Sequence, residues 1–308
     1  MGPVAVTGPC RRPTVPVPVP RVLHCGDRTF ELGLRTYVMG VVNITPDSFS
    51  DGGLHLAPVA GYDHAMRLLE QGADVIDLGA ESTRPGATPV NVDEELRRLI
   101  PVIKRLSAAG VRCLSIDTSK AEVARASLDL GAAWINDVDG LRDPAMATAA
   151  RDADAVVVMH QQPMNPSAAD DDVTYRDVVE EVRAHLAARI ALAVEAGACR
   201  ERIVVDPGIG FGKTISHNVE LLARGGELRA LGPVLVGPSR KRFLRALSAA
   251  SSLEELDTAT VGACCLAVFG GADLVRVHAV GEVRRALTIA DAARPRTTSP
   301  GGRAAGGC

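Results

Sequence analysis

At 308 residues with 46% hydrophobic side chains, the chain is long enough for one large barrel or two ordinary domains. A formal net charge of −3 excludes a global pull toward nucleic acid or an anionic membrane surface. Aromatics make up only 3%, so Val, Ile, Leu and Ala must fill the core, as in the aliphatic layers of an α/β barrel.

Residues 1–20 are proline-rich and predict a disordered tail; the Gly-, Pro-, Ser- and Thr-rich stretch 294–308 predicts another. Val22–Cys25 and Thr29–Leu32 flank Gly26-Asp27, the pattern of a small N-terminal β-hairpin placed to cap the lower mouth of a barrel. From Tyr37 the chain alternates short apolar runs with helical periodicity. Strands are expected at 37–43, 74–79, 112–117, 133–136, 155–159, 202–206, 233–237 and 273–278. Helices are expected near 57–72, 92–109, 119–130, 143–152, 174–197, 216–230, 254–270 and 280–293. Asn91 and Ser119 each stand three residues before a Glu, as helix caps do, and Gly72, Gly110, Gly131 and Gly197 close helices. Eight strand–helix units within 21–293, with no break in composition, point to an α/β fold with a single (β/α)8 TIM barrel. A doubly wound open sheet is the alternative.

Seven cysteines without a CxxC spacing suggest neither a disulfide framework nor a zinc site, and a reducing cytoplasm is the compartment expected. No apolar run approaches the roughly 18 residues of a membrane span. The N-terminus lacks the charged start and apolar centre of a signal peptide.

Barrel enzymes keep their chemistry at the carboxyl ends of the strands. Here those ends read Asn43; Asp77 with Glu81-Ser82-Thr83-Arg84; Asp117; Asn136-Asp137; Met159-His160; Asp206; Ser239-Arg240-Lys241; and Arg276 with His278. The strand beginnings are mostly apolar. The loop from Asn43 to Gly53 is also longer than the roughly two to six residues a βα turn normally needs. An ordinary turn built on Pro46 and Gly52-Gly53 is the plainer interpretation of it.

Asp117, Asn136 and Asp206 are expected to converge from three non-adjacent strands. Two carboxylates and an amide suit a flat heterocycle with amino and ring N–H groups. Singly, each Asp has a competing role as a helix cap. Arg276 and His278 are two apart on one strand and face the same way, beside Ser239-Arg240-Lys241, making a cationic cluster where barrels often bind phosphate. A solvated basic rim is the competing interpretation, weakened because Arg276 interrupts an apolar strand. Gly208 to Thr214 lacks P-loop and GxGxxG spacing and reads as a turn that sets Phe211 against a flat ligand. No histidine pair has metal-ligand spacing, and His185 and His217 are expected at the surface. A Mg2+ ion held by few protein groups and by substrate phosphates leaves little trace in a sequence, and Asn43 is its candidate ligand.

The segments Asn43 to Gly53 and Glu81-Ser82-Thr83-Arg84-Pro85-Gly86-Ala87 resemble the two signatures of the dihydropteroate synthases. So do Ser115 to Thr118, Ile135 to Asp137, Val158 to His160, Asp206 to Lys213, Ser239 to Lys241 and Arg276 to His278, in the same order. The resemblance covers about Met39 to Ala290. It implies a TIM-barrel transferase that condenses 6-hydroxymethyl-7,8-dihydropterin pyrophosphate with para-aminobenzoate, releasing pyrophosphate. It implies that Asp117, Asn136, Asp206 and Lys241 hold the pterin edge, with Met159 and Phe211 against its faces. Lys241, Asp206 and Arg276 would act on the chemical step. Thr83, Arg276 and His278 would hold pyrophosphate, and Asn43 would bind Mg2+. The aminobenzoate would lie near Phe49, Thr83, Arg84, Pro85 and Ser239, under a lid formed by Thr45 to Gly53. The resemblance also implies a homodimer through the outer helices.

The chain departs from the family pattern at Ala279, where Asp is usual, at Gln161-Gln162-Pro163, at Ala259 and at Pro238. These departures leave open a paralogue using another arylamine or serving sulfonamide resistance. A non-catalytic pterin-binding paralogue is the reading from another class, and a folate-dependent methyltransferase a distant one. The intact Asn43, Asp206 and Lys241 argue against a dead paralogue.

Overall fold

The computed structural model describes residues 22–44, 53–81, 89–162 and 174–294. The expected tails 1–20 and 294–308 lie outside them except for Arg294, as do most of the expected lid and Phe49, Thr83, Arg84 and Pro85.

Strands β1 (Val22–Cys25) and β2 (Arg28–Glu31) form the antiparallel hairpin. Its turn requires Gly26: φ is +61°, and a Cβ there would lie 2.5 Å from Arg112 Cβ. Eight parallel strands follow: β3 (Tyr37–Asn43), β4 (Val75–Gly79), β5 (Leu114–Asp117), β6 (Trp134–Asp137), β7 (Ala155–Met159), β8 (Ile203–Asp206), β9 (Leu235–Val236) and β10 (Leu274–Val277). They pair in the order β8-β7-β6-β5-β4-β3-β10-β9. A parallel bridge between Val205 and Val234 joins the two ends, with Val205 N–H donating to Pro233 O at 2.8 Å. The sheet therefore closes, and the open-sheet alternative falls.

The helices are α1 (Gly53–Glu70), α2 (Val92–Ala108), α3 (Ala121–Asp129), α4 (Pro144–Ala149), α5 (Val178–Glu195), α6 (Ile215–Arg224), α7 (Arg242–Ser248), α8 (Leu253–Phe269) and α9 (Val280–Ala293). Asn91 caps α2 by accepting from Glu94 N at 2.9 Å. Ser119 does not cap α3: the helix starts at Ala121, and Thr118 Oγ1 accepts the Lys120 N–H instead. The four glycines read as helix ends all adopt positive φ. Helix α7 is additional to the expected set. It follows Lys241 directly and ends at Ala249 in the left-handed conformation.

Alternation along each strand makes two cores. Outward positions such as Val38, Ile76, Ile116, Val158 and Val275 pack under the helices against Leu99, Ile103, Leu186, Leu221 and Leu287. Inward positions Met39, Val75, Trp134, Val157, Val204, Leu235 and Leu274 fill the lower barrel together with Leu23, Phe30 and Leu32 of the hairpin segment. Phe30 stacks on Tyr37 at 4.4 Å, and Trp134 Nε1 donates to His24 O at 2.7 Å. The hairpin is thus a plug for the amino-terminal mouth. Each such buried aliphatic or aromatic side chain contributes about 1.5–3 kcal/mol. With the lower half filled, the inward positions left for chemistry are those at the carboxyl end.

Candidate active site

Strand register sets the site. Asn43 pairs with Gly79, Gly79 with Asp117, and Asp117 with Asn136, so one rung at the carboxyl end runs across four strands. Asp117 and Asn136 are on neighbouring strands, which corrects the expectation of three non-adjacent ones. Gly79 leaves the gap between Asn43 and Asp117 open: a Cβ there would come to 3.5 Å from Asp117 Cβ and 3.8 Å from Asn43 Oδ1. Met159 and Asp206 pair farther round, and Arg276 enters from β10.

Arg276 is held by two carboxylates. Its Nε donates to Asp77 Oδ2 at 2.6 Å and its Nη2 to Asp117 Oδ2 at 2.6 Å. Asn136 Nδ2 donates to the same Asp77 oxygen at 3.1 Å. Burial pushes the Asp117 carboxyl up, Arg276 pulls the other way, and Asp77 adds to the rise. Burial disfavours charge on Arg276, but Asp77 and Asp117 outweigh it and hold the guanidinium firmly charged.

Asp206 ends β8 with its Oδ1 accepting from Gly208 N at 2.7 Å, and burial raises its pKa. Lys241 precedes α7, and its Nζ stands 4.1 Å over the Phe211 ring, a cation–π contact. Burial, reinforced by Arg276, pulls the Lys241 ammonium down to about 8, against Asp206 and Asp117. Phe211 thus lies in the turn after β8, against Lys241. Ser239 Oγ and His278 Nδ1 share a hydrogen bond of 2.9 Å, and Ser239 Oγ accepts from His278 N at 3.2 Å.

The structure corrects the cationic cluster in one respect. Arg240 adopts φ +58° and turns to α8, where it makes a two-pronged pair with Asp257 at 2.7 and 2.8 Å. It is a structural strut, while Arg276, Lys241 and His278 remain at the strand ends.

Two groups given no ligand role in the sequence reading stand among these side chains. Asp77 is fully buried, and its sequence signal is a lone carboxylate inside the apolar run Val75-Ile76-Asp77-Leu78. Lys213 is the other. Its Nζ donates to Gly208 O at 2.9 Å, to Phe211 O at 2.9 Å and to His160 Nδ1 at 3.0 Å. Burial and the ammonium pull His160 down to about 3, so the ring is neutral, and with Nδ1 accepting its proton sits on Nε2. His185, expected at the surface, meets His160 edge-on at 4.7 Å. Gly208 at φ +69° brings the turn so close that a Cβ would lie 1.8 Å from His160 O.

Among the described residues no group of three His, Cys, Asp or Glu side chains is arranged to hold a metal. A cleft of about 480 Å³ lies at the opposite end of the barrel, near Leu34, Arg35, Asp74, Arg284 and Asp291. Its charges serve one another: Arg35 and Arg284 bind Asp74, and Asp291 accepts from Thr36. That cleft is a stapled floor, while the carboxyl end carries buried charges facing a common space.

The sequence profile described as pterin binding enzyme matches residues 39–278. The chain is 42% identical over 276 residues to the dihydropteroate synthase of Synechocystis sp., covering 89% of this chain and 95% of that one. The chain belongs to the dihydropteroate synthase family. A solved Xanthomonas albilineans dihydropteroate synthase with 4-aminobenzoic acid superposes with a TM-score of 0.81 at 47% identity, over 89% of this chain and 98% of that one. The same enzyme in complex with 7,8-dihydropteroate gives 0.77 at 44% identity, over 88% and 98%. The profile match starts in β3 and stops at His278, just past β10. The profile match therefore takes in the barrel wall with all its strand ends, while the hairpin plug lies before it.

Proposed function

We propose that this chain is a dihydropteroate synthase. It joins the methylene carbon of 6-hydroxymethyl-7,8-dihydropterin pyrophosphate to the amine of para-aminobenzoate. The carbon–oxygen bond breaks with its electron pair leaving on pyrophosphate, the amine nitrogen bonds to the carbon, and that nitrogen loses a proton. The observation that carries this reading is one arc of buried and half-buried groups, Asp117, Asn136, Asp206 and Lys241, beside Arg276 and His278. Acceptors matched to a pterin's amino and ring N–H groups thus adjoin cations matched to pyrophosphate.

In this reading the Asp117 and Asp206 carboxylates and the Asn136 amide hold the pterin edge, with Lys241 donating to it. Met159 and Phe211 cover the ring faces. Arg276 and His278 meet the departing pyrophosphate, and preorganised charges at a poorly solvated site favour that separation more than water does. Asp206 stabilises positive charge that develops on the pterin as the arm ionises. Ser239 lies beside His278 and so borders both the aminobenzoate and the pyrophosphate positions. Thr83, Arg84, Pro85 and Phe49 complete the aminobenzoate side.

Asn43 ends β3 on the same rung as Gly79 and Asp117, with its amide oxygen facing the Gly79 gap. One neutral oxygen suits a Mg2+ ion held mainly by pyrophosphate oxygens and water. Bound there, the ion neutralises charge on the leaving group. A homodimer through the outer helices belongs to the same reading, supported by Phe269 on α8 and Ile289 on α9, which are 57% and 74% exposed.

Incubation with the pterin pyrophosphate, Mg2+ and para-aminobenzoate tests the proposal by pyrophosphate release. Release that requires both organic substrates is expected. Tight pterin binding without release supports the non-catalytic reading instead, and release only with a different arylamine supports the paralogue.

A further inference from the structure

Asp77 is a carboxylate near the end of β4 to which the reaction assigns no substrate. It pairs with Ser115, two residues before Asp117, and so lies one inward layer beneath the rung of Asp117 and Asn136. Its side chain is 0% exposed, against 11% for Asp117. One oxygen takes Arg276 Nε and Nη2, each at 2.6 Å, and Asn136 Nδ2 at 3.1 Å. The other, Oδ1, is buried and has no hydrogen-bond partner among the described residues. The compensation of this carboxylate is thus concentrated on Arg276 and Asn136.

Arg276 and Asp117 are assigned to different parts of the substrate, yet here they bind each other at 2.6 Å. Pyrophosphate must win Arg276 from something. It cannot readily win it from Asp77, because that would strand a buried charge, the costly way to break an ion pair. It can win it from Asp117, which lies at the mouth and can take pterin N–H donors in exchange.

We propose that Asp77 is a positioning residue that keeps Arg276 anchored through Nε and Nη2 while Asp117 is the partner Arg276 releases, so that filling the pterin-edge site frees the second Nη2 N–H for pyrophosphate. The pterin ring and pyrophosphate then bind with positive coupling through one guanidinium, and by linkage each strengthens the other equally. The inference rests on the pterin and pyrophosphate reading above.

The test uses inorganic pyrophosphate and 6-hydroxymethylpterin as separate probes, with dissociation constants measured by calorimetry on the full chain at fixed Mg2+. In the wild type, saturating pterin should tighten pyrophosphate by roughly fivefold or more. Asp77→Asn keeps the shape but removes the anchoring charge, so Arg276 settles on Asp117. Pyrophosphate alone should then weaken about tenfold, while KM for para-aminobenzoate stays unchanged. Asp117→Asn should do the reverse for pyrophosphate alone, tightening it roughly fivefold although pterin weakens. A purely structural Asp77 would lower the melting temperature without this selective shift. Should Asp77→Asn fail to fold, the Asp117→Asn arm decides alone. Unchanged pyrophosphate affinity in Asp77→Asn, or weakened affinity in Asp117→Asn, overturns the inference and leaves the proposed function standing. A wild type that binds neither probe overturns both.

Discussion

Lys213→Met separates stability from function at this site. Lys213 is only 9% exposed, and its ammonium makes three hydrogen bonds of 2.9–3.0 Å. Burial pulls it from 10.5 to about 7, with Asp206 opposing and Lys241 adding to the fall. At about 1.4 kcal/mol per pH unit, holding the buried ammonium costs about 5 kcal/mol near pH 7. Methionine removes that cost but leaves three buried acceptors unpaired, at about 1–3 kcal/mol each. The two nearly cancel, so the melting temperature should move by less than about 4 °C. The turn carrying Phe211 under Lys241 loses its pin, however, and a misplacement of about 1 Å can lower kcat/KM roughly 100-fold. The pH dependence follows the same logic. The folded pKa lies below the unfolded one, so the unfolded chain holds the extra proton between about pH 7 and 10.5. Stability from this group is lowest below pH 7 and rises across that window, and the variant should show a shallower rise, since Lys241 still contributes. Thermal melts across pH and steady-state rates measure both. A melting temperature more than about 10 °C lower with unchanged kcat/KM would refute the argument.

Four further outcomes are expected. Lys241 is charged below about pH 8, so kcat/KM should fall as pH rises through that value, and Lys241→Ala should lose roughly 100- to 1,000-fold in rate while its circular dichroism stays native. Gly208→Ala combines φ +69° with a Cβ 1.8 Å from a backbone oxygen and should destabilise by about 3 kcal/mol or more, read from the urea midpoint. Phe30→Ala empties the barrel plug and should cost about 3–5 kcal/mol by urea titration with KM values unchanged, since the plug lies at the far mouth. Helix α9 starts after Ala279 with no side-chain cap, so Ala279→Asp should add about 1 kcal/mol, seen as a melting temperature roughly 2–4 °C higher.

The barrel was legible because each strand is an apolar run that ends in a polar residue, a pattern periodicity detects locally. β9 is shorter than read, Leu235–Val236 instead of 233–237, because Pro233 and Pro238 supply no N–H to a ladder. Helix α7 escaped notice because a seven-residue segment shows barely two turns of periodicity. The polar groups proposed for the pterin edge were legible as strand ends. Their partners were not, because partnership depends on closure. Arg276 meets Asp77 across 199 positions and Lys213 meets His160 across 53. Arg240 reads as one of a basic triplet, and only the path of the chain through α7 brings Asp257 round to take it away from the site.

The most direct measurement is a crystal structure of this chain with 7,8-dihydropteroate. The pterin edge should lie within hydrogen-bond distance of Asp117, Asn136, Asp206 and Lys241, with Phe211 against the ring and Arg276 still on Asp77. Product bound at the opposite, hairpin end of the barrel, or at the carboxyl end without contacts to those four residues, would contradict the account.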